Sequence, residues 1–147
     1  MMTNGYWFKS TLFEVELGED ELTNPFCYGK QLSEWIRNKF LTLGYDVEEV
    51  IEEDWVFCVM VQQAPFNLWV GCGSQRDEFY ETITKEEKET FLPTKDQLHW
   101  HCFGVAEVPF WKKLFKKIDT SEALTQLNAE LNEMLEQERE ITITERP

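Results

Sequence analysis

The chain has 147 residues and a mass of 17.5 kDa, is 42% hydrophobic and 14% aromatic, and carries 28 acidic against 14 basic side chains, a formal charge of −14. Residues 1–147 fit a single domain with one core, and the apolar content excludes an intrinsically disordered chain. The charge repels a nucleic-acid backbone, so no nucleic-acid partner is expected, while the same field draws in a basic protein surface or simply keeps the protein in solution.

No run of about twenty apolar residues occurs, and the opening MMTNGYWFKS lacks the apolar centre of a secretory signal, so a cytoplasmic protein with no membrane partner is expected. From Tyr6 to Leu17 aromatic and branched residues predict a first strand ending at Gly18, followed by the acidic loop GEDELTNP. Beyond Phe26 or Tyr28 the period changes. Tyr28, Leu32, Trp35, Ile36, Phe40 and Leu43 fall three or four apart, which predicts a helix that Gly44 ends in the left-handed conformation. YDVEEV then begins an extended segment.

Trp55 to Val61 and Phe66 to Cys72 are short apolar runs around Ala64 and Pro65, the pattern of a hairpin. That pairing sets Cys58 opposite Cys72 or within one register step of it. The four cysteines form no C-x-x-C pair, and packed, reduced thiols are expected rather than a bridge or a zinc site. A polar stretch follows, read as an insertion or lid over 74–96, with a short strand near Phe79 to Ile83 and a capping box at Thr84 and Glu87.

Alternation from Leu98 to Val108 predicts a strand with Trp100 and Cys102 on one side and His99, His101 and Phe103 on the other. PFWKKLFKKI then opens a short helix in which Phe110, Trp111, Leu114, Phe115 and Ile118 form an apolar side. A membrane-surface role for that helix is weighed against core packing with solvated lysines, and core packing is preferred. Asp119 or Thr120 caps a longer helix carrying Leu124, Leu127, Leu131, Met134 and Leu135, and EITITE closes the chain as an edge strand. The order implies an α+β fold, an antiparallel or mixed sheet of about five or six strands with helices packed on one face.

Three groups carry candidate chemistry. His99 and His101, alternate on a strand, project two imidazoles from one face and would need a third ligand, from Glu52, Glu53 or Asp54, to hold a metal. Cys72, between two glycines, is a weak nucleophile candidate, since glycines equally mark the exit of a buried strand. Common nucleotide-binding and hydrolase motifs are missing from the sequence, and no cofactor is assigned. Glu48, Glu49, Glu52, Glu53 and Asp54, with a second cluster at Glu19, Asp20 and Glu21, form an acidic surface, to which Trp7 or Trp55 adds an aromatic anchor.

YGKQLSEWIRNKFLTLGYDV, EDWVFCVMV and FNLWVGCG together resemble a family of small bacterial cytosolic proteins with no established activity. The resemblance implies a compact α+β domain and carries over no catalytic residue. The leading expectation is a non-enzymatic binding protein, of the immunity or inhibitor kind, that masks a basic site on a toxin or enzyme. The alternatives are a small metal-dependent or acid/base enzyme using His99 and His101, and a homodimer or larger assembly formed through the closing edge strand.

Overall fold

The computed structural model describes residues 5–24, 27–75, 86–87, 93–94, 98–114 and 117–147. Six strands form one sheet in the order β2-β3-β4-β5-β1-β6, and every neighbouring pair is antiparallel. They are β1 (Tyr6–Ser10), β2 (Ile51–Glu52), β3 (Phe57–Gln62), β4 (Asn67–Gln75), β5 (His99–Glu107) and β6 (Ile141–Thr144). Among the described residues, the helices α1 (Lys30–Thr42), the four-residue α2 (Phe110–Lys113) and α3 (Ser121–Gln137) accompany them.

The sheet alternates as strand geometry requires, and the two long helices cover one of its faces. Phe8, Phe57, Val59, Leu68, Val70, Cys72, Trp100, Cys102 and Ala106 point to that side and join one cluster with Leu32, Ile36 and Phe40 of α1 and Leu124, Leu127, Leu131, Met134 and Leu135 of α3. Each Val, Leu, Ile, Met or Phe among them, taken from water, contributes roughly 1.5–3 kcal/mol before the entropy of ordering it is subtracted. The spacing of apolar residues in both helices thus foretold which positions are buried. Leu43 is a correction: the helix has ended before it, and it is exposed.

Gly44 ends α1 as expected, at φ 94. The Tyr45 N–H donates to the Phe40 carbonyl at 3.1 Å, and the two rings meet edge to face with centroids 5.1 Å apart, the hydrogen bond and apolar contact that commonly close a helix on a left-handed residue. The other end of α1 is capped from a distance. Gly29 has no side chain to offer, and the carboxylate of Glu19 accepts from the N–H groups of Gly29 at 3.2 Å and Lys30 at 3.0 Å.

The expected hairpin is β3 and β4, with a register shift between Met60 and Gln62. The expected strand from Tyr6 to Leu17 stops at Ser10, where the Ser10 hydroxyl accepts from the Leu12 N–H at 3.0 Å and turns the chain out of the sheet. Phe13 and Val15 still reach the core. The strand expected near Phe79 to Ile83 and the capping residue Thr84 lie outside the described residues, as does most of the 74–96 insertion, although β4 itself runs on through Gln75.

The largest departure concerns α2. Its apolar residues were expected in the core, yet Phe110, Trp111 and Leu114 are 76%, 62% and 65% exposed. Only one turn long, this helix follows directly from the end of β5, and of the expected apolar side Ile118 packs against the core. Among the described residues, no helix is long and apolar enough to cross a membrane.

Candidate functional site

The acidic residues of 46–54 lead into and out of β2, an edge strand only two residues long, which pairs Ile51 with Cys58 and Glu52 with Phe57. A backbone bond from the Glu53 N–H to the Val56 carbonyl, at 2.9 Å, turns the chain from β2 into β3. Glu48, Glu49, Glu52, Glu53 and Asp54 are all exposed. Arg37 of α1 holds the start of this segment, with its Nε donating to the Glu48 carbonyl at 2.7 Å and its guanidinium 3.5 Å from the Glu49 carboxylate. The carboxylates of Glu52, Glu53 and Asp54 have no ion-pair partner among the described residues.

The second acidic cluster divides. The Asn24 N–H donates to the Asp54 carbonyl, which brings the chain after Glu21 alongside the β2 edge. Glu19, however, is 4% exposed and serves the scaffold: besides capping α1 it accepts from the Glu16 N–H at 2.7 Å. Burial pushes its carboxyl above the usual range, against the three N–H groups that pull it down. Glu16 lies below that range because Lys30 donates to it at 2.7 Å, so this carboxylate is also committed locally. Sequence reasoning grouped Glu19 with the surface acids because a charge run does not reveal which member turns inward.

The anchor residues also part company. Trp55 is 54% exposed, and its ring stacks on Phe103 with centroids 5.5 Å apart and planes 5° from parallel. It is therefore held in place while much of its surface faces solvent. Trp7 lies on β1, beyond β3, β4 and β5 from the acidic edge.

Both histidines take the side of β5 that alternation predicted, the sheet face away from α1 and α3. There His101 stacks on Trp7 at 4.0 Å and 4°, and its ring centroid lies 5.0 Å from that of Phe103. The result is a ladder of rings, Trp7, His101, Phe103 and Trp55, running across this second face, where Phe103 is buried and Trp55 is exposed. The floor beneath it is glycine. A Cβ on Gly71 would come within 2.4 Å of the Phe103 ring, so β4 must carry no side chain where Phe103 lies down. Trp69 closes on Phe103 edge to face, and Val56, Cys58, Phe103 and Val105 form a small second core on this side.

The ladder joins a residue of the acidic-surface reading, Trp55, to one of the catalytic reading, His101, through Phe103. It does not bring Glu52, Glu53 or Asp54 into a ligand set with the histidines: among the described residues, no group of three His, Cys, Asp or Glu is placed to hold a metal ion.

The cysteine geometry differs from the simplest sequence picture. Cys58 sits opposite Gly71 and Cys72 opposite Phe57, one register step apart, and a single step puts the two thiols on opposite faces of the sheet. Cys72 instead lies directly across from Cys102, inside the main core. All three are buried and free. Burial pushes Cys58 and Cys102 up to about 12 and Cys72 well above the ordinary thiol value, the reverse of what a nucleophile needs. The cross-strand pair was not legible in the sequence, since it depends on the register between strands separated by 76–98.

A cleft of about 320 Å³ opens between α1 and the β2 edge, lined in part by Lys30, Ser33, Arg37, Glu49 and Glu52. Its two cations already face Glu16 and Glu49. No protein-family model, curated protein or solved structure matches the chain.

Proposed function

We propose that this chain is a binding protein whose acidic β2 edge docks onto a basic surface of a partner protein, masking it in the manner of an immunity or inhibitor protein. The observation that carries this reading is the juxtaposition of Glu52, Glu53 and Asp54, exposed and without ion-pair partners among the described residues, with a Trp55 ring that is held by Phe103 yet half open to solvent. Desolvating such carboxylates is unfavourable unless cations meet them, so the edge discriminates for a positive partner, and a ring already fixed loses little entropy on becoming an anchor. The resemblance to small bacterial cytosolic proteins suits a role inside a bacterial cell.

A catalytic role for His99, His101 or Cys72 draws less support, because the Cys72 thiol is buried and His101 is packed between rings. A homodimer is a second reading through one feature, the outer edge of β6, which no described strand pairs, with its exposed Ile143. The test of the main reading is capture from bacterial lysate by the immobilised full chain at low salt. The expected result is a basic protein released by high salt and not retained by a Glu52→Lys/Glu53→Lys/Asp54→Lys variant. Recovery of the same proteins by both chains would refute it.

A further inference from the structure

At the end of the sheet remote from the acidic edge, the chain exposes the opposite chemistry. Phe110, Trp111 and Leu114 are 76%, 62% and 65% exposed, so each projects from the surface instead of lining a groove. The same short segment, 112–117, contains four lysines. Lys112 donates to the Pro65 carbonyl in the β3–β4 connection and lies 5.2 Å from the centre of the Trp111 ring, which ties the segment to the hairpin tip. Lys113 and Lys117 are exposed. Glu107, Asp119 and Glu122 are the exposed acids within five residues of this stretch, fewer than its four lysines.

From these observations we propose that this turn is a docking site for an anionic lipid surface, with Phe110, Trp111 and Leu114 entering the headgroup boundary and Lys113 and Lys117 meeting lipid phosphate and carboxylate groups. Projecting aromatic and aliphatic side chains beside lysines are the chemistry of interfacial binding. The expectation of no membrane partner rested on the lack of a long apolar run, which does not bear on surface docking, and the core packing preferred for this helix is overturned by the exposure of these side chains. The acidic β2 edge lies far from this turn. β2 pairs with the start of β3, whereas Pro65 lies past its far end, so the two surfaces are separated by the length of that strand. Five steps at ~3.3 Å give about 17 Å, or roughly two Debye lengths at physiological salt. Repulsion from the acidic edge is therefore largely screened at the turn, and docking there points that edge away from the bilayer. The inference is independent of the partner-binding reading above.

The test is co-sedimentation of the full chain with phosphatidylcholine vesicles, pure or containing about one-third phosphatidylserine. The wild type should pellet with the anionic vesicles, be released by high salt, and stay in the supernatant with pure phosphatidylcholine. Phe110→Ser/Trp111→Ser and Lys113→Glu/Lys117→Glu should each weaken binding by about tenfold or more. Both should keep the wild-type melting temperature, since the substituted side chains are exposed. Failure of the wild type to pellet, equal pelleting with both vesicle types, or equal pelleting of the variants would overturn the proposal. So would sedimentation velocity showing a wild-type dimer that Phe110→Ser/Trp111→Ser dissociates, because a second copy would then cover the patch.

Discussion

Glu19 offers a sharp test of how the acidic residues divide between scaffold and surface. In Glu19→Ala, three N–H groups, those of Glu16, Gly29 and Lys30, lose an acceptor that is 4% exposed, and α1 loses the negative charge at its N-terminus. An orphaned buried donor costs ~1–3 kcal/mol and a charge at a helix terminus contributes ~0.3–1 kcal/mol, while water entering the vacated site and relief of carboxylate burial offset part of the loss. A net destabilisation of about 3 kcal/mol follows, or roughly 6–12 °C in melting temperature for a domain of this size. Glu21→Ala, on the exposed side of the same turn, should stay within about 0.5 kcal/mol of wild type.

The pH dependence has a definite sign. Because burial raises the folded carboxyl above its unfolded value near 4.5, the folded state binds the proton more readily. The Glu19 contribution to stability therefore rises as pH falls through the folded value and levels off below 4.5. Thermal melts of wild type and Glu19→Gln across that range should show the wild type gaining on the variant as the solution is acidified. A Glu19→Ala protein melting within about 2 °C of wild type at neutral pH would refute the capping role.

Two other outcomes test the second sheet face and the thiols. Gly71→Ala forces a methyl to within 2.4 Å of the Phe103 ring, so urea titration should show about 1–3 kcal/mol of destabilisation, part of it recovered by adding Phe103→Leu. An aromatic disulfide reagent at pH 8 should modify Cys27, the partly exposed cysteine, first. Cys58 and Cys102, whose burial both shields them and pushes them up to about 12, should react only at the rate of unfolding.

How far the sequence foretells the structure varies with the kind of information each element needs. α1 and α3 were readable because a period near 3.6 reports a buried stripe directly, and Leu32, Ile36, Phe40, Leu127 and Leu131 all lie where that period puts them. The alternation from Leu98 to Val108 likewise assigned His99, His101 and Phe103 to the correct face. Past Ser10 the same cue misled. Phe13 and Val15 alternate like strand residues, and period two does not distinguish a paired strand from an extended segment that inserts its side chains under a helix. The Glu14 N–H, for instance, donates to the Gln31 side chain of α1 at 2.7 Å.

The misplacement of Phe110, Trp111 and Leu114 has a related cause. Amphipathic spacing identifies a face that could be buried, but burial also needs an opposing element, and the local sequence does not say whether one is there. The Cys72–Cys102 pairing and the inward turn of Glu19 were hidden for the same reason, since both are contacts between segments distant in sequence. The aromatic ladder left a faint trace in advance: glycine at 71 within an apolar strand is the position over which the Phe103 ring of the neighbouring strand lies flat.

The central claim is that the acidic β2 edge, with Trp55, recognises a positive partner surface. Its most direct measurement is the association rate of the basic protein recovered from lysate with wild type and with Glu52→Lys/Glu53→Lys/Asp54→Lys, across a series of salt concentrations. The account predicts a wild-type rate that falls steeply with salt and a variant rate at least about tenfold lower at low salt, with the two converging at high salt. Rates that are equal for the two proteins and insensitive to salt would contradict it.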